Sequence, residues 1–570
     1  MKRARGPVTA VLLTAVVVAL PVAAGDRTSG RTFATRSVVY ARHGMVAAMH
    51  PLAAQIGIDV LKKGGSAVDA AIAVNAALGF MEPVSCGIGG DLFALVWDAK
   101  TRKLHALVAS GRAPLALTAD KVTPLADGTI PPYTPYAWTV PGAVDGWFEL
   151  HGKFGRLPMA DVLGPAIRAA REGEPVPQTI AGAWGRGGRL HKDKPGFAAV
   201  FLPQGVAPKE GEIFRNPALA RAYELLVKEG RHGYYKGAIA RDVVAFSQKN
   251  GGSFAMEDFA RHRSEWMEPL STEYRGVRVF EVPPPTQGIA ALQMLNMLEG
   301  FDLRAMGRDS AAFWHTMVEA KKIAYEDRAK FVADPAFAKV PVEGLLSKEY
   351  AKLRAKLIDP AVAQKRIEAG QPALGHGDTT YLATADADGN MVSLIQSNYS
   401  GFGSGYAVPE WGFGIHNRGA LFDLKAGRPN SLEPGKRPFH TIIPAFAMRD
   451  GEPWLAFGLM GGDMQPQGHV QVIVNLVDFG MNLQEAGDAP RYYHEDSSEP
   501  TGTPLTETGG QLHLESGVPF EIRRDLVAKG HRVTETLGTY GGYQAIAWDP
   551  KQRVWAGASE SRRDGAAIGY

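Results

Sequence analysis

The sequence predicts an α+β protein, because helical and extended patterns occupy different parts of the 570-residue chain. From about residue 140 to 360, apolar residues recur at helical spacing, as in AVDGWFELHGKFG and AAFWHTMVEAKKIAYEDRAKFV. Beyond residue 378, short apolar runs such as TTYLATAD, NMVSLIQSN and YQAIAWD predict strands. Helices and strands segregate instead of alternating, which favours stacked layers over a doubly wound parallel sheet.

The individual elements follow from the same periodicities. Two helices are predicted over HPLAAQIGIDVLKK and SAVDAAIAVNAALGF, on either side of Gly64 and Gly65. Next, DLFALVWDA and KLHALVA predict two strands around a turn at 100–102. YRGVRVFEV predicts one strand inside the helical part, before a helix over IAALQMLNMLEG. After 378, the first two strands form a hairpin around 387–389, and QGHVQVIVNLVDFG predicts a helix.

A polar, glycine-punctuated stretch joins the two parts of the chain. It reads AVAQKRIEAGQPALGHGD and shows no apolar periodicity after Ile367. We therefore expect an exposed linker at about 360–378.

The composition limits the kinds of function and site that the protein can have. The chain is 45% hydrophobic and 21% charged, with a formal net charge of +3, which is typical of a soluble globular protein. No basic stretch lies outside the extreme N-terminus, which argues against nucleic-acid binding. A single cysteine, Cys86, excludes an internal disulfide framework and a cysteine metal cluster.

The first 24 residues have the form of a secretory signal. Basic residues at positions 2, 3 and 5 precede an apolar run over 8–20, and Ala23 and Ala24 follow it. The run is short for a membrane span, so cleavage after Ala24 is favoured over an uncleaved anchor. No later segment approaches a stable membrane span. We expect a periplasmic or secreted protein.

Several common catalytic motifs are missing from the sequence. There is no GxGxxG at a strand-to-helix junction, no GxxxxGK[ST] and no HExxH, and GFGSG does not fit GxSxG. The histidines are scattered along the chain. No cofactor and no metal is predicted.

Thr379 is a candidate nucleophile in the stretch GHGDTTYLATADADGN. A threonine hydroxyl needs a base beside it, and cleavage after Asp378 would create an α-amine that titrates near pH 8 on the same residue. The hydroxyl could make this cut by attacking the Asp378 carbonyl, after which water hydrolyses the ester. Threonine is also common in strands, so the residues alone leave an ordinary structural role open.

The same stretch resembles the processing site of the gamma-glutamyltransferase family, the N-terminal-nucleophile hydrolases of glutathione metabolism. Further segments resemble the family in the same order: GGSAVDAAIAVNAALGFMEPVSCGIGGDLF, VPGAVDGW, PPPTQGIAALQMLNMLE, PGKRPFHTIIPAF, GLMGGDMQPQG and GASESRRDGAAIGY. The resemblance implies a four-layer αββα sandwich. It also implies a precursor with a signal at 1–24, a large subunit at 25–378 and a small subunit at 379–570, which remain together as one αββα unit.

The resemblance also implies roles for individual residues. Thr379 is the nucleophile, and its amine, released by the cut after Asp378, is the base. Gly461 and Gly462 match the glycine pair whose N–H groups form the oxyanion hole, where a side chain would obstruct the approach. Ser397 matches a threonine whose hydroxyl assists the nucleophile.

The residues that bind the α-carboxylate and the α-amino group of the substrate in this family are not matched here. Ser110 stands where an arginine holds the substrate α-carboxylate, and Leu421 stands where an acidic residue holds the α-amino group. Residues that could instead meet an anionic acyl group, or that stand at other substrate-binding positions of the family, are Arg112, Tyr399, Arg418, His440 and Thr441.

The function expected from these observations is that of an exported, self-processing amidase. Its partner is a small-molecule amide: gamma-glutamyl compounds such as glutathione are the family default, with hydrolysis favoured over transfer. One alternative is an acylase of the cephalosporin or glutaryl type, or a small-amide hydrolase, of the same family. An alternative from another class is an inactive binding protein of the cell envelope.

Overall fold

Two seven-stranded antiparallel sheets form the centre of the molecule in the computed structural model. The structure describes residues 29–367, 378–538 and 540–570, with the backbone alone at Asp378 and Thr379. The predicted signal therefore lies outside the described residues, and none of the helices described is long and apolar enough to cross a bilayer.

The strands in chain order are β1 Val39–Ala41, β2 Met45–Ala48, β3 Asp91–Asp98, β4 Lys103–Ala109, β5 Glu174–Pro175, β6 Ile213–Phe214, β7 Glu265–Met267, β8 Leu270–Tyr274, β9 Val277–Glu281, β10 Asp378–Ala385, β11 Met391–Tyr399, β12 Ala407–Val408, β13 Phe413–Gly414, β14 Ala445–Arg449, β15 Glu452–Leu459, β16 Tyr492–Glu495, β17 Gln511–Leu514, β18 Val533–Thr534, β19 Tyr543–Asp549, β20 Val554–Ser559 and β21 Ala566–Gly569. One large sheet has the order β21-β2-β10-β11-β3-β4-β7, and the other has the order β1-β20-β19-β15-β14-β9-β8.

The helices in chain order are α1 Pro51–Lys62, α2 Ala67–Met81, α3 Ala143–Phe154, α4 Met159–Glu172, α5 Gln178–His191, α6 Phe197–Phe201, α7 Pro217–Tyr235, α8 Ala238–Lys249, α9 Met256–Arg261, α10 Gly288–Leu298, α11 Leu303–Met306, α12 Ala311–Phe331, α13 Val342–Leu346, α14 Lys348–Ala355, α15 Met464–Val477, α16 Leu483–Asp488 and α17 Phe520–Ala528.

The strand alternation separates the apolar residues into layers. In β10, Leu382 packs toward the layer that contains α1 and α2, whereas Tyr381 and Ala383 face the other sheet. The outer face of that second sheet packs against α10, α12 and α15. The predicted four-layer αββα sandwich is confirmed. Because each large sheet takes strands from both sides of residue 378, the two parts of the chain form a single core.

Most predicted elements are present, with two differences. A single strand was predicted over YRGVRVFEV, but the structure has the hairpin β8–β9, and β7 precedes it. Its two-residue turn, Arg275 and Gly276, has φ of +49° and +81°, values typical of a tight hairpin turn that an arginine does not signal. The predicted linker is also packed at its start, since Ala363 and Ile367 are buried, while 368–377 lies outside the described residues.

Candidate active site

The first residues of β10 lie at an irregularity in the sheet. From Thr380 onward, β10 pairs regularly with β11, but the register shifts between Asp378 and Thr380. Between these two pairs β10 has one residue, Thr379, whereas β11 has two, Ser397 and Asn398. The backbone of Thr379 therefore lies opposite a bulge in β11, a feature that is common beside active sites. This is the position at which the sequence predicts both cleavage and the nucleophile.

Glu82 holds this end of β10 against the helix layer. Thr380 Oγ1 donates to Glu82 Oε2 at 2.9 Å, and Ser85 Oγ donates to Glu82 Oε1 at 2.9 Å. Glu82 is the C-terminal cap of α2 and is buried. Sequence reasoning did not single it out, because nothing local to MEPVSC indicates a partner about 300 residues away.

Gly461 and Gly462 form the turn between β15 and α15. Their φ values of +119° and +56° lie in the region that L side chains rarely adopt, which explains glycine at both positions. Their carbonyl oxygens accept hydrogen bonds from Met464 N at 3.0 Å and Gln465 N at 3.1 Å. Within the described ranges, neither glycine amide donates to another residue. The turn thus offers two backbone donors, as an oxyanion hole requires.

A buried side-chain network anchors this turn. Gln287 Nε2 donates to Thr441 O at 2.6 Å and to Gly462 O at 2.8 Å. Arg328 Nη1 in turn donates to Gln287 Oε1 at 2.6 Å and to Asp463 Oδ1 at 2.8 Å. Sequence reasoning also missed Gln287 and Arg328, although Gln287 lies in the PPPTQG motif that carried part of the family resemblance.

Arg418, Tyr399 and Thr441 come together near the end of β11. Arg418 Nη1 donates to Thr441 Oγ1 at 2.8 Å, and the guanidinium lies 4.7 Å from the centre of the Tyr399 ring. Arg418 is fully buried, and its Nε and Nη2 have no hydrogen-bond partner among the described residues. Burial lowers the pKa of Arg418 to about 10, so the side chain remains cationic at neutral pH. The cluster therefore offers unused N–H donors to an anion.

Asp91 and His440 extend this cluster. Asp91 Oδ1 accepts from Gly111 N at 3.0 Å, and His440 Nε2 lies 3.1 Å from Asp91 Oδ2. Burial would raise the pKa of Asp91, but His416, His440 and Arg418 together hold it below its usual range. Burial lowers the pKa of His440 to about 4. Both Asp91 oxygens thus already have partners within the protein.

Two other predicted residues occupy different surroundings. Ser397 lies opposite Asp91 in the sheet, and its Oγ accepts from Tyr399 N at 2.8 Å, beside the positive φ of Tyr399 at +75°. Arg112 is not part of the Arg418 cluster. Its guanidinium donates to Asp334 at 3.2 Å and Glu265 at 2.9 Å, an ordinary structural ion-pair arrangement.

One cluster among the described residues has the donor atoms of a metal site. Ligand atoms of His315, Glu319 and His531 lie within 4.8 Å of one another. However, Lys322 Nζ lies 2.8 Å from Glu319 Oε1 and supplies a positive charge there. The group belongs to the helix layer around α12, and no hydrogen bond or ion pair within the described ranges links it to β10.

Comparison with known proteins identifies relatives along nearly the whole chain. The family model described as Gamma-glutamyltranspeptidase matches residues 53–570. A glutathione hydrolase-like YwrD proenzyme of Bacillus subtilis is 37% identical over 536 residues, covering 92% of this chain and 98% of the relative. The Acylase ACY 1 proenzyme of Pseudomonas sp. strain SE83 is 36% identical, covering 92% of this chain and 93% of the relative.

The solved structures agree with the sequence comparison. The crystal structure of a cephalosporin acylase from Bacillus halodurans is 44% identical, with a TM-score of 0.87, and covers 94% of this chain and 97% of that one. The relatives are hydrolases and acylases, and the enzyme interpretation is confirmed. The chain belongs to the gamma-glutamyltranspeptidase family and is an N-terminal-nucleophile hydrolase.

Proposed function

We propose that this protein is an exported proenzyme that cuts itself between Asp378 and Thr379 and then hydrolyses amides. The cut yields a large subunit at 25–378 and a small subunit at 379–570, which stay together because both contribute strands to each sheet. The bulge in β11 opposite Thr379 and the donor pair at Gly461 and Gly462 support this proposal. Curated relatives named as proenzymes support it as well.

The chemistry takes two steps on the same threonine. The Thr379 hydroxyl adds to the amide carbonyl while the free α-amine of Thr379 accepts its proton, and the oxyanion is held by the two glycine amides. The C–N bond then breaks, the proton passes to the leaving amine, and an acyl ester remains on Thr379. Water adds to this ester by the same route and releases the acid. Hydrolysis is proposed over transfer to a second amine.

The observation that carries the substrate class is the pair of unpartnered Arg418 nitrogens. A buried guanidinium with unused donors is costly unless an anion completes it, and a carboxylate matches its geometry. We therefore assign amides whose acyl group carries a carboxylate. Gamma-glutamyl amides such as glutathione have this group and are the default of the family.

A glutaryl-type acyl group is the second candidate, and the surroundings of Asp91 favour it. A gamma-glutamyl group adds an ammonium that needs a carboxylate partner. Both oxygens of Asp91 are engaged by Gly111 and His440, and Leu421 is a buried apolar residue. A glutaryl group has the carboxylate without the ammonium. Arg418 can thus bind the acyl carboxylate, whereas neither Asp91 nor Leu421 offers an acceptor to an ammonium.

Intact mass measurement and N-terminal sequencing of the purified protein test the proposal first. Two chains are expected, the smaller beginning Thr-Thr-Tyr-Leu. Incubation with glutaryl 4-nitroanilide, followed by rapid acid quenching, should then add the mass of a glutaryl group to the small subunit alone. A single uncut chain after prolonged incubation, or an acyl group on the large subunit, would contradict the mechanism.

A further inference from the structure

Two histidines from distant parts of the chain meet in the helix layer at α12. His315 Nδ1 lies 2.8 Å from His531 Nε2, and Glu319 follows His315 by one helical turn on the same face of α12. All three side chains are buried, and their ligand atoms lie within 4.8 Å of one another. Two imidazoles and a carboxylate that converge in this way are a donor set that binds transition metals.

A backbone contact of His315 determines which of its ring nitrogens can bind a metal. His315 Nε2 lies 2.7 Å from the carbonyl oxygen of Asp359, so this nitrogen carries a proton and donates it there. Neutral His315 therefore presents the lone pair of Nδ1 toward His531. Histidines that bind metals are commonly oriented in this way, with the second ring nitrogen donating to a carbonyl or carboxylate oxygen.

The end of α17 sets the position of His531. Gly530 has a φ of +97°, its N–H donates to Val527 O at 2.9 Å, and His531 N donates to Leu526 O at 3.1 Å. These two bonds form the Schellman motif that ends a helix at a glycine. The backbone of His531 is therefore held by the helix end, and its ring is directed at α12 without help from a ligand.

Lys322 competes with a metal ion for Glu319. Lys322 Nζ lies 2.8 Å from Glu319 Oε1 and donates to Gln364 O at 3.0 Å. Glu319 Oε2 accepts from Gln364 N at 3.1 Å, which orients the carboxylate. An ion bound to Glu319 Oε1 takes over the charge pairing, while Lys322 keeps Gln364 O as its acceptor.

The fit to zinc requires a small opening of the histidine pair. Two imidazole nitrogens on one tetrahedral zinc lie about 3.3 Å apart for Zn–N distances of about 2.05 Å. The nitrogens of His315 and His531 are 2.8 Å apart and would separate by about half an ångström. His531 and Lys322 also line a narrow cleft that reaches the surface at the exposed residues Thr508 and Arg532. This cleft gives an ion a route of entry and water access to a fourth coordination position.

We propose that His315, Glu319 and His531 bind one divalent transition-metal ion of the zinc class. His315 and Glu319 belong to the proposed large subunit and His531 to the proposed small subunit, so the ion joins the two. Binding of the ion is independent of the proposed function, whereas the joining of two separate chains rests on the proposed cut after Asp378. The sequence alone does not indicate this site, because 216 residues separate the two histidines.

Zinc binding tests the site directly. Untagged protein, stripped of metal with a chelator and then equilibrated with ZnCl₂, should retain one zinc per polypeptide after gel filtration, measured by elemental mass spectrometry. CoCl₂ in place of zinc should give the visible absorption bands of a four- or five-coordinate cobalt ion. His315→Gln and His531→Gln should each weaken zinc binding by about 100-fold, since loss of a ligand costs no less than loss of its outer partner.

Two further variants separate this site from unspecific zinc binding. His513→Gln is the matched control, because His513 Nε2 also lies 2.7 Å from a carboxylate, Glu495 Oε1, but belongs to no cluster of three ligands within the described ranges. Its zinc affinity should equal that of the wild type. Lys322→Met should tighten zinc binding by about tenfold, because it removes the competing charge beside Glu319.

Release of the small subunit in urea tests the joining of the subunits. Zinc should slow this release by about tenfold in cleaved wild-type protein and in His513→Gln, but not in His531→Gln. Wild-type zinc affinity in both histidine variants, or no zinc bound by the wild type and Lys322→Met, would overturn the site. Zinc bound there with an unchanged rate of release would overturn the joining role. An uncut chain that binds zinc would instead overturn the proposed cut and leave the site in place.

Discussion

Gln287 Nε2 lies 2.8 Å from the carbonyl oxygen of Gly462 and ties the turn after β15 to the loop that carries Thr441. Gly462 is a proposed oxyanion donor, and Thr441 holds Arg418. One buried amide therefore sets the spacing between the place where the oxyanion forms and the place where the acyl carboxylate binds. Gln287 touches neither group of the substrate and is a positioning residue.

Replacing Gln287 by leucine should reduce kcat by about 10- to 100-fold on glutaryl 4-nitroanilide. The change removes the Gln287 donor from Thr441 O and one of two donors from Gly462 O, and it takes the Gln287 acceptor from Arg328. We expect a cost of about 1–3 kcal/mol that acts on the oxyanion turn. Gln471→Leu is the matched control, because Gln471 Nε2 also donates to two buried carbonyls, at 3.0 and 3.2 Å, but within and beside α15. Equal losses of kcat in the two variants would show that Gln287 contributes to the stability of the fold in general and does not position the oxyanion turn.

Thr379→Ala should leave one unsplit, inactive chain, because the hydroxyl needed for cleavage is removed and the amine base is never released. Thr379→Ser keeps both groups and should still split. Denaturing gel electrophoresis after extended incubation distinguishes the two variants. An alanine variant that splits at the same bond would rule out self-processing by this residue.

Arg418→Gln should raise KM for glutaryl 4-nitroanilide by about 10- to 100-fold, since charge-assisted hydrogen bonds contribute about 1.5–3 kcal/mol each. Butyryl 4-nitroanilide has a hydrogen in place of the terminal carboxylate of the glutaryl group and should show no comparable rise. Arg308→Gln, which alters an arginine bonded to Asn475 in the outer helix layer, serves as the control variant. An equal rise in KM for both substrates would show that Arg418 does not bind the carboxylate of the glutaryl group.

Glutaryl 4-nitroanilide should be hydrolysed with a higher kcat/KM than gamma-glutamyl 4-nitroanilide. The two acyl groups differ only by the ammonium, and both oxygens of Asp91 are already engaged by Gly111 and His440. Initial rates of the two anilides under identical conditions measure the preference. Equal rates, or faster cleavage of the glutamyl compound, would reverse the ranking and restore glutathione-like amides as the substrate class.

Substrate binding should weaken at alkaline pH through Arg418. Its pKa is lowered to about 10 by burial, so the side chain is cationic below that pH and loses its charge as the pH rises through it. KM for the glutaryl anilide should therefore increase above pH 10, while KM for the butyryl anilide should not. A parallel change for both substrates would point to loss of the fold instead of titration of the carboxylate site.

Local patterns were sufficient for many elements. The helices at Pro51–Lys62 and Ala67–Met81 follow from apolar spacing and the glycines between them, and the β10–β11 hairpin follows from two extended runs around a short turn. The structure has the β8–β9 hairpin in place of the single predicted strand, because the turn places Arg275 at a positive φ, which an arginine in the sequence does not signal. Secondary structure was thus predictable wherever the local preference and the final packing agreed.

The sequence by itself determined the family, the order of its motifs, and the candidates Thr379, Gly461 and Gly462, since a nucleophile beside its own amine and a side-chain-free turn are local chemical features. Only the tertiary structure decided which arginine offers unused donors. Arg112 and Arg418 look alike in the sequence, but Asp334 and Glu265 pair with the first, while the second lies buried over Tyr399. These partners are distant in the chain, and long-range packing alone determines which charges are satisfied.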